Sequence, residues 1–220
     1  DDGAQLLETM LAKRGYLLSY HRMLAASEPQ LLANYDALYT RMQGLPDSPE
    51  RLALFEEAKR LEDLTSDFLA FARSKDPELQ TVVICDSLRY IADLVKAHLL
   101  EKSLTLEIAC TQSATLQVDP AQVQQALLNL LMNAVHATPA NGRIEIGARR
   151  DEVNVILWVE NNGDTITDEI AAKMFEPFFS GASTGTGLGL SIVQKVALAH
   201  GGRAYLAHNE RGKVRFEMEL

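Results

Sequence analysis

The sequence predicts an α+β protein, a helical hairpin followed by a two-layer sandwich of helices on one face of a sheet. Three observations predict it. Apolar residues recur at helical spacing through residues 4 to 75. The periodicity changes after the short linker Ser74-Lys75-Asp76-Pro77, which divides the chain into domains 1–75 and 76–220. Beyond the linker, amphipathic runs are interleaved with short strand-like ones, the pattern of helices packed on a mostly antiparallel sheet.

In the first domain Leu7, Leu11, Arg14, Leu18, His21 and Ala25 share one helical stripe. Ser27-Glu28-Pro29 marks a break, with Ser27 placed to cap and Pro29 to occupy a first turn. The run through Leu31, Leu32, Tyr35, Leu38, Tyr39 and Met42 resumes the pattern, and 44–48 (GLPDS) is a turn. Leu54, Phe55, Ala58, Leu61, Thr65, Phe68 and Ala72 then form a second long stripe. A hairpin this apolar needs a partner, and pairing with a second copy completes a four-helix bundle, so a homodimer through this segment is expected.

In the second domain Leu79 to Ile84 suits a strand, and Asp86 is placed to cap a helix running to about Glu101. Strands are expected over Leu104–Ala109 and Ala114–Val118, then a helix from Asp119 to about Ala137. Asn141-Gly142 reads as a hairpin turn into Arg143–Arg149. Val153–Glu160 is a further strand, and helix 188–200 with strands 203–208 and 213–219 closes the domain.

Composition excludes some functions. A formal charge of −9 leaves no basic stripe for nucleic acid. No apolar run approaches the roughly 20 residues that cross a bilayer, so no membrane segment is expected in this chain. Its start at Asp1 leaves room for an upstream sensor or membrane segment outside these residues. Cys85 and Cys110 lack CxxC spacing and read as reduced core thiols of a cytoplasmic protein.

The chemistry gathers in the C-terminal half. Phe175 to Gly202 reads as an aromatic box, a small-residue loop and an amphipathic helix. Gly185, Gly187 and Gly189 stand at alternate positions where that helix begins. Glycine admits close backbone approach, and a helix N-terminus offers unpaired N–H groups and a positive dipole end, together a phosphate-binding turn. In the helix after Asp119, Asn129 and Asn133 lie four apart on one face, with His136 three further on. Asparagine is a mediocre helix former. The pair therefore reads either as a ligand set for a hard cation such as Mg²⁺ or as amides bonded to neighbouring backbone. NNGDTI, from Asn161 to Ile166, lies at a strand end where its polar groups and Gly163 can face a base.

An Asn-bearing helix, then NNGDTI, then FEPFF, then GTGLGL resembles the catalytic ATP-binding domain of bacterial sensor histidine kinases, relatives of gyrase, Hsp90 and MutL. The resemblance covers about Leu79 to Leu220. RLEDLTSDFLAFAR (60–73) is similar to the second helix of that family's dimerisation and phosphotransfer domain. The resemblance implies a Bergerat-type ATP-binding fold with ATP and Mg²⁺ as cofactors. By analogy Asn133 holds Mg²⁺ with Asn129 assisting, and Asn161 and Gly163 face the adenine. Gly185, Gly187 and Gly189 cradle the phosphates beneath a lid at 180–186, and His136, Ile166, Phe178, Thr186 and Leu188 belong to the same pocket.

The chain departs from the family at several points. Asn161 stands where Asp is usual, Thr165 replaces a glycine, His136 stands where Lys is common, and the lid carries no Lys or Arg. The family's phosphoacceptor histidine is followed by an acid. Here His21, in SYHRMLAAS, is followed by Arg22. A second alignment lays ASEPQLL (26–32) over the motif and puts Ser27 where the histidine belongs. The expected function is a two-component kinase core that phosphorylates itself on His21 and passes the group to an aspartate of a response-regulator receiver domain. The alternative is a degenerate kinase, a dimeric scaffold that docks a receiver without autophosphorylation.

Overall fold

The computed structural model describes residues 37–38, 40–42, 48–72, 76–110, 115–151, 154–180 and 186–220. The chain divides into two units, Asp1–Ala72 and Arg73–Leu220. In the first, α1 (Pro49–Ala72) starts at a proline, whose fixed φ suits a first helical residue. Ser48 caps it, its Oγ accepting from Arg51 N and its carbonyl from Leu52 N, each at 3.2 Å. Met42, Phe55 and Ala58 form a buried cluster, while Leu54, Leu61 and Phe68 remain about half exposed. The expected first helix, the break at Ser27–Pro29, most of the 44–48 turn, and His21 lie outside the described residues.

The second unit runs β1 (Gln80–Val83), α2 (Ile84–Leu94), α3 (Lys96–Glu101), β2 (Thr105–Ala109), β3 (Thr115–Val118) and α4 (Pro120–Ala137). It continues through β4 (Arg143–Arg150), β5 (Val155–Asn161), α5 (Asp168–Ala171), α6 (Gly189–Ala199), β6 (Arg203–Glu210) and β7 (Lys213–Glu219). Among the described residues β1 and β3 form an antiparallel pair, and a five-stranded sheet has the order β2-β4-β5-β7-β6. This is an α+β fold, as expected. The pleat sorts residues between two faces. Ile144 and Ile146 of β4, Leu157, Val159 and Asn161 of β5, and Val214, Phe216 and Met218 of β7 share the face that α4 and α6 cover, and all are buried.

The opposite face is a charged lattice. Arg149 donates to both carboxylate oxygens of Glu217, at 2.8 and 3.0 Å, and Tyr205 Oη donates to Glu217 at 2.8 Å. Arg215 donates to Glu160 at 2.6 Å, and Trp158 Nε1 to Glu145 at 3.2 Å. Burial alone pushes the Glu217 carboxyl up, but the hydrogen bonds from Arg149 and Tyr205 prevail and hold it below the usual carboxylate range. Burial first, and then the bond to Glu217, push the Tyr205 hydroxyl up to about 12.

Four expectations are corrected. Asp86 does not cap its helix; Val83 is the N-cap residue, and Asp86 lies in the first turn, paired with Arg89 at 2.9 Å. The helix does not run unbroken to Glu101 but is interrupted at Val95. Asn141-Gly142 turns the chain as its composition demands, with Asn141 at φ 61°, yet it joins α4 to β4 and not two hairpin strands. β4 pairs in parallel with β2, so a helical crossover replaces the hairpin. Cys85 and Cys110 are not free thiols; they form a disulfide, with Cα atoms 5.8 Å apart. The chain leaves along α2 and returns along β2, which brings the start of one to the end of the other.

Candidate functional site

The site is built on α4. Asp119 caps that helix, accepting from Ala121 N at 3.0 Å and Gln122 N at 3.1 Å, and Pro120 occupies the first turn. The same residue fixes the helix in place. Its Oδ2 accepts from Glu78 N, and its own N–H donates to His200 Nε2, each at 3.0 Å. His200 Nδ1 lies 2.8 Å from Val196 O, so the ring donates there and holds the end of α6 against the start of α4. At the other end of α4 the ammonium of Lys102 donates to the carbonyls of Val135, His136 and Thr138 at 2.9, 3.0 and 3.4 Å. A cation on the last carbonyls of a helix opposes its dipole.

Because α6 runs back along α4, its N-terminus meets the asparagines. Asn129, 9% exposed, donates through Nδ2 to Gly189 O at 3.3 Å and accepts through Oδ1 from Gln125 at 3.2 Å. A Cβ on Gly189 would stand 3.9 Å from both Asn129 and Asn133 Nδ2. Leu188, wholly buried, anchors the turn, and α6 has no side-chain cap. Its first N–H groups are therefore the local source of positive potential. Thr186 Oγ1 accepts from Leu188 N at 3.3 Å. Gly187 has φ +73°, and a Cβ there would come within 2.5 Å of the Phe178 backbone. Phe178 itself has φ 64°, unusual for an aromatic residue. The close backing of these two segments requires glycine.

The second cluster lies where β5 ends, beside the last residue of α4. Asn161 is 4% exposed, and its Nδ2 finds no hydrogen-bond acceptor among the described residues. A Cβ on Gly163 would come within 2.6 Å of that Nδ2 and 2.7 Å of Ala137 O, so this notch admits only a hydrogen. Ile166 is held through its backbone, donating to Asn209 Oδ1 at 2.8 Å and accepting from Asn209 Nδ2 at 2.7 Å.

The structure thus brings Asn129, Asn133, Leu188 and Gly189 together, Thr186, Gly187 and Phe178 on the segment before them, and Asn161, Gly163 and Ile166 at the far end of α4. His136 lies exposed in the last turn of α4. Gly185 and the lid residues 181–184 lie outside the described residues. Sequence reasoning missed the supports. Asn209 clamps Ile166, Gly212 N donates to Gly163 O at 3.1 Å, and Asn162 Oδ1 accepts from Arg143 N at 2.8 Å. The β6–β7 turn was legible in Asn209-Glu210-Arg211-Gly212, but its partner was not, since the contact spans the sheet. Lys102 gave no signal.

The model of histidine kinase-, DNA gyrase B-, and HSP90-like ATPases matches residues 118–220. Sensor histidine kinase ZraS of Salmonella typhimurium is 32% identical over 149 residues, 67% of this chain and 32% of that protein. Sensor protein CreC of Escherichia coli K12 is 30% identical over 233 residues, 99% of this chain and 48% of CreC. The chain spans about a third to a half of the length of these curated relatives. The nucleotide-free catalytic domain of histidine kinase ThkA superposes with a TM-score of 0.59 at 30% identity, over 64% of this chain and 95% of that one. Full-length ShkA in complex with AMPPNP gives 0.70 at 26% identity, over 87% and 45%. ThkA in complex with response regulator protein TrrA gives 0.64 at 25% identity, over 97% and 65%.

Proposed function

We propose that this chain, which belongs to the histidine kinase family, binds Mg²⁺-ATP in its second unit and phosphorylates a histidine in its first, passing the group to a response-regulator aspartate. The observation that carries the reading is the meeting of Asn129 and Asn133 with the uncapped N-terminus of α6 at Gly189. Hard amide oxygens beside unpaired N–H groups suit a cation-bound phosphate chain. The residues fit a nucleotide at the other end as well. The buried amide of Asn161 wants a partner, and Gly163 keeps the backbone beside it free of a side chain that would crowd that amide. That the similar ShkA was solved with AMPPNP supports the same assignment.

When bound, Mg²⁺-ATP supplies an electrophilic γ-phosphoryl group with its charge partly neutralised. The chain contributes positioning and charge complementarity, which dominate phosphoryl transfer. Asn129 is committed to Gln125 and Gly189, so Asn133 is the amide that faces the cation. The first N–H groups of α6, with Gly187 and the segment from 180 to 186 that includes Gly185, hold the phosphates. Asn161, Gly163 and Ile166 orient the base, and His136, Phe178, Thr186 and Leu188 bound the pocket. His21 is the acceptor. The unprotonated imidazole nitrogen forms a P–N bond as the β,γ P–O bond breaks and ADP leaves, and the proton on the other ring nitrogen passes to solvent.

The half-exposed Leu54, Leu61 and Phe68 of α1 favour a homodimer through the first unit. The complex of ThkA with a response regulator favours the same class of partner here. We place the reaction in the cytoplasm, where ATP is supplied. The test is incubation of the full chain with γ-labelled ATP. We expect acid-labile, base-stable label that His21→Ala abolishes. Label that survives that substitution overturns the acceptor, and absence of label in the wild type overturns the kinase reading in favour of the scaffold.

A further inference from the structure

Asn161 sits on the core side of β5, 4% exposed, with an Nδ2 donor that no described residue accepts from. A neutral amide cannot shed that donor by ionising. A buried donor left unmet is costly, so its place beside Gly163 points to a bound group that offers an acceptor. We infer that Asn161 makes the pocket permissive at position 6 of a purine, so that it takes hypoxanthine nucleotides about as well as adenine nucleotides. The inference rests on the nucleotide-binding reading above and concerns only which base that site admits.

The chemistry is one of matched edges. Adenine presents an amine donor at C6 beside an acceptor at N1, and hypoxanthine presents the reverse, an oxygen at C6 beside N1–H. A carboxamide carries one donor and one acceptor side by side. Turning it by 180° exchanges them, and no described partner holds the Asn161 amide in one sense. Whichever group stands at C6 can therefore be met, an amine by Oδ1 and an oxygen by Nδ2. A carboxylate at this position would accept only. It would pair with the adenine amine and repel an oxygen at C6, which is how a site rejects the wrong base.

Titration of the full chain with ADP and with IDP in the presence of Mg²⁺, by displacement of a fluorescent ADP analogue, tests this without turnover. We expect the two dissociation constants to agree within about fivefold, and Asn161→Asp to raise the preference for ADP by about tenfold or more. ADP binding with IDP weaker by more than about fivefold overturns the inference and leaves the proposed function standing. Failure of both nucleotides to bind overturns the proposed function and the inference with it. The wild-type comparison decides the matter even if Asn161→Asp does not fold.

Discussion

Adding one methyl group at Gly163 separates the pocket from the fold that carries it. In Gly163→Ala the new Cβ would stand 2.7 Å from Ala137 O, where ordinary contact begins at 3.4 Å, so about 0.7 Å must be found. Ala137 O is backbone, and the end of α4 that bears it is held by Lys102 through three carbonyls. That side gives little. Asn161 Nδ2, at 2.6 Å from the same Cβ, has no described partner to lose and moves first. Overpacking of this kind costs about 1–3 kcal/mol. The displaced amide and the filled notch should together weaken ADP binding by about tenfold or more, since each 1.4 kcal/mol is a factor of ten. Calorimetric titration with Mg²⁺-ADP, alongside a urea midpoint for each protein, measures the two effects separately. A variant that is destabilised but binds ADP as well as wild type would refute the placement of the base beside Gly163.

Two further predictions concern the scaffold. Glu217→Gln should cost about 1.5–3 kcal/mol at pH 7, the range for hydrogen bonds to a charged group. Because its carboxyl is held below the usual range when folded, Glu217 adds stability that is complete above about pH 4.3 and lost as pH falls through the lower folded value. The substitution should flatten wild-type stability against pH in that acidic window, and an unchanged slope in urea melts would count against the Arg149–Glu217–Tyr205 cluster. Reduction of the Cys85–Cys110 bridge, which closes a separation of 25 residues, should lower unfolding free energy by about 3 kcal/mol. Urea midpoints with and without reductant measure it, with Cys85→Ser as the independent check.

Local chemistry decided how much was legible. Periodicity and caps located the elements, because Asp119-Pro120 stands directly before an apolar run at helical spacing and can cap it, and alternation marks a strand. Asn129, Asn133 and Gly189 were found because they are unusual residue types for their setting. Two of the misreadings depend on partners far apart in the chain. Asn141-Gly142 has the composition of a hairpin turn, and only the parallel pairing of β2 with β4 makes it a helix-to-strand turn. Cys85 and Cys110 carry no spacing motif, and only the return of β2 past α2 joins them. Asp86 offered a cap, but the helix had already begun at Ile84. Lys102 and Asn209 serve the site across 33 to 43 residues of sequence, a distance no local pattern spans.

The charged face of the sheet has an optical consequence. Trp158 is the one tryptophan in the chain. It is 8% exposed and flanked by Arg149 and Arg215, with guanidinium carbons 5.6 and 5.1 Å from the ring centre. Its emission is therefore a signal from residues 73–220 alone, and it comes from the side of the sheet that α4 and α6 do not cover. A tryptophan-detected melt follows the loss of that lattice, and reports unfolding at the second unit without a label.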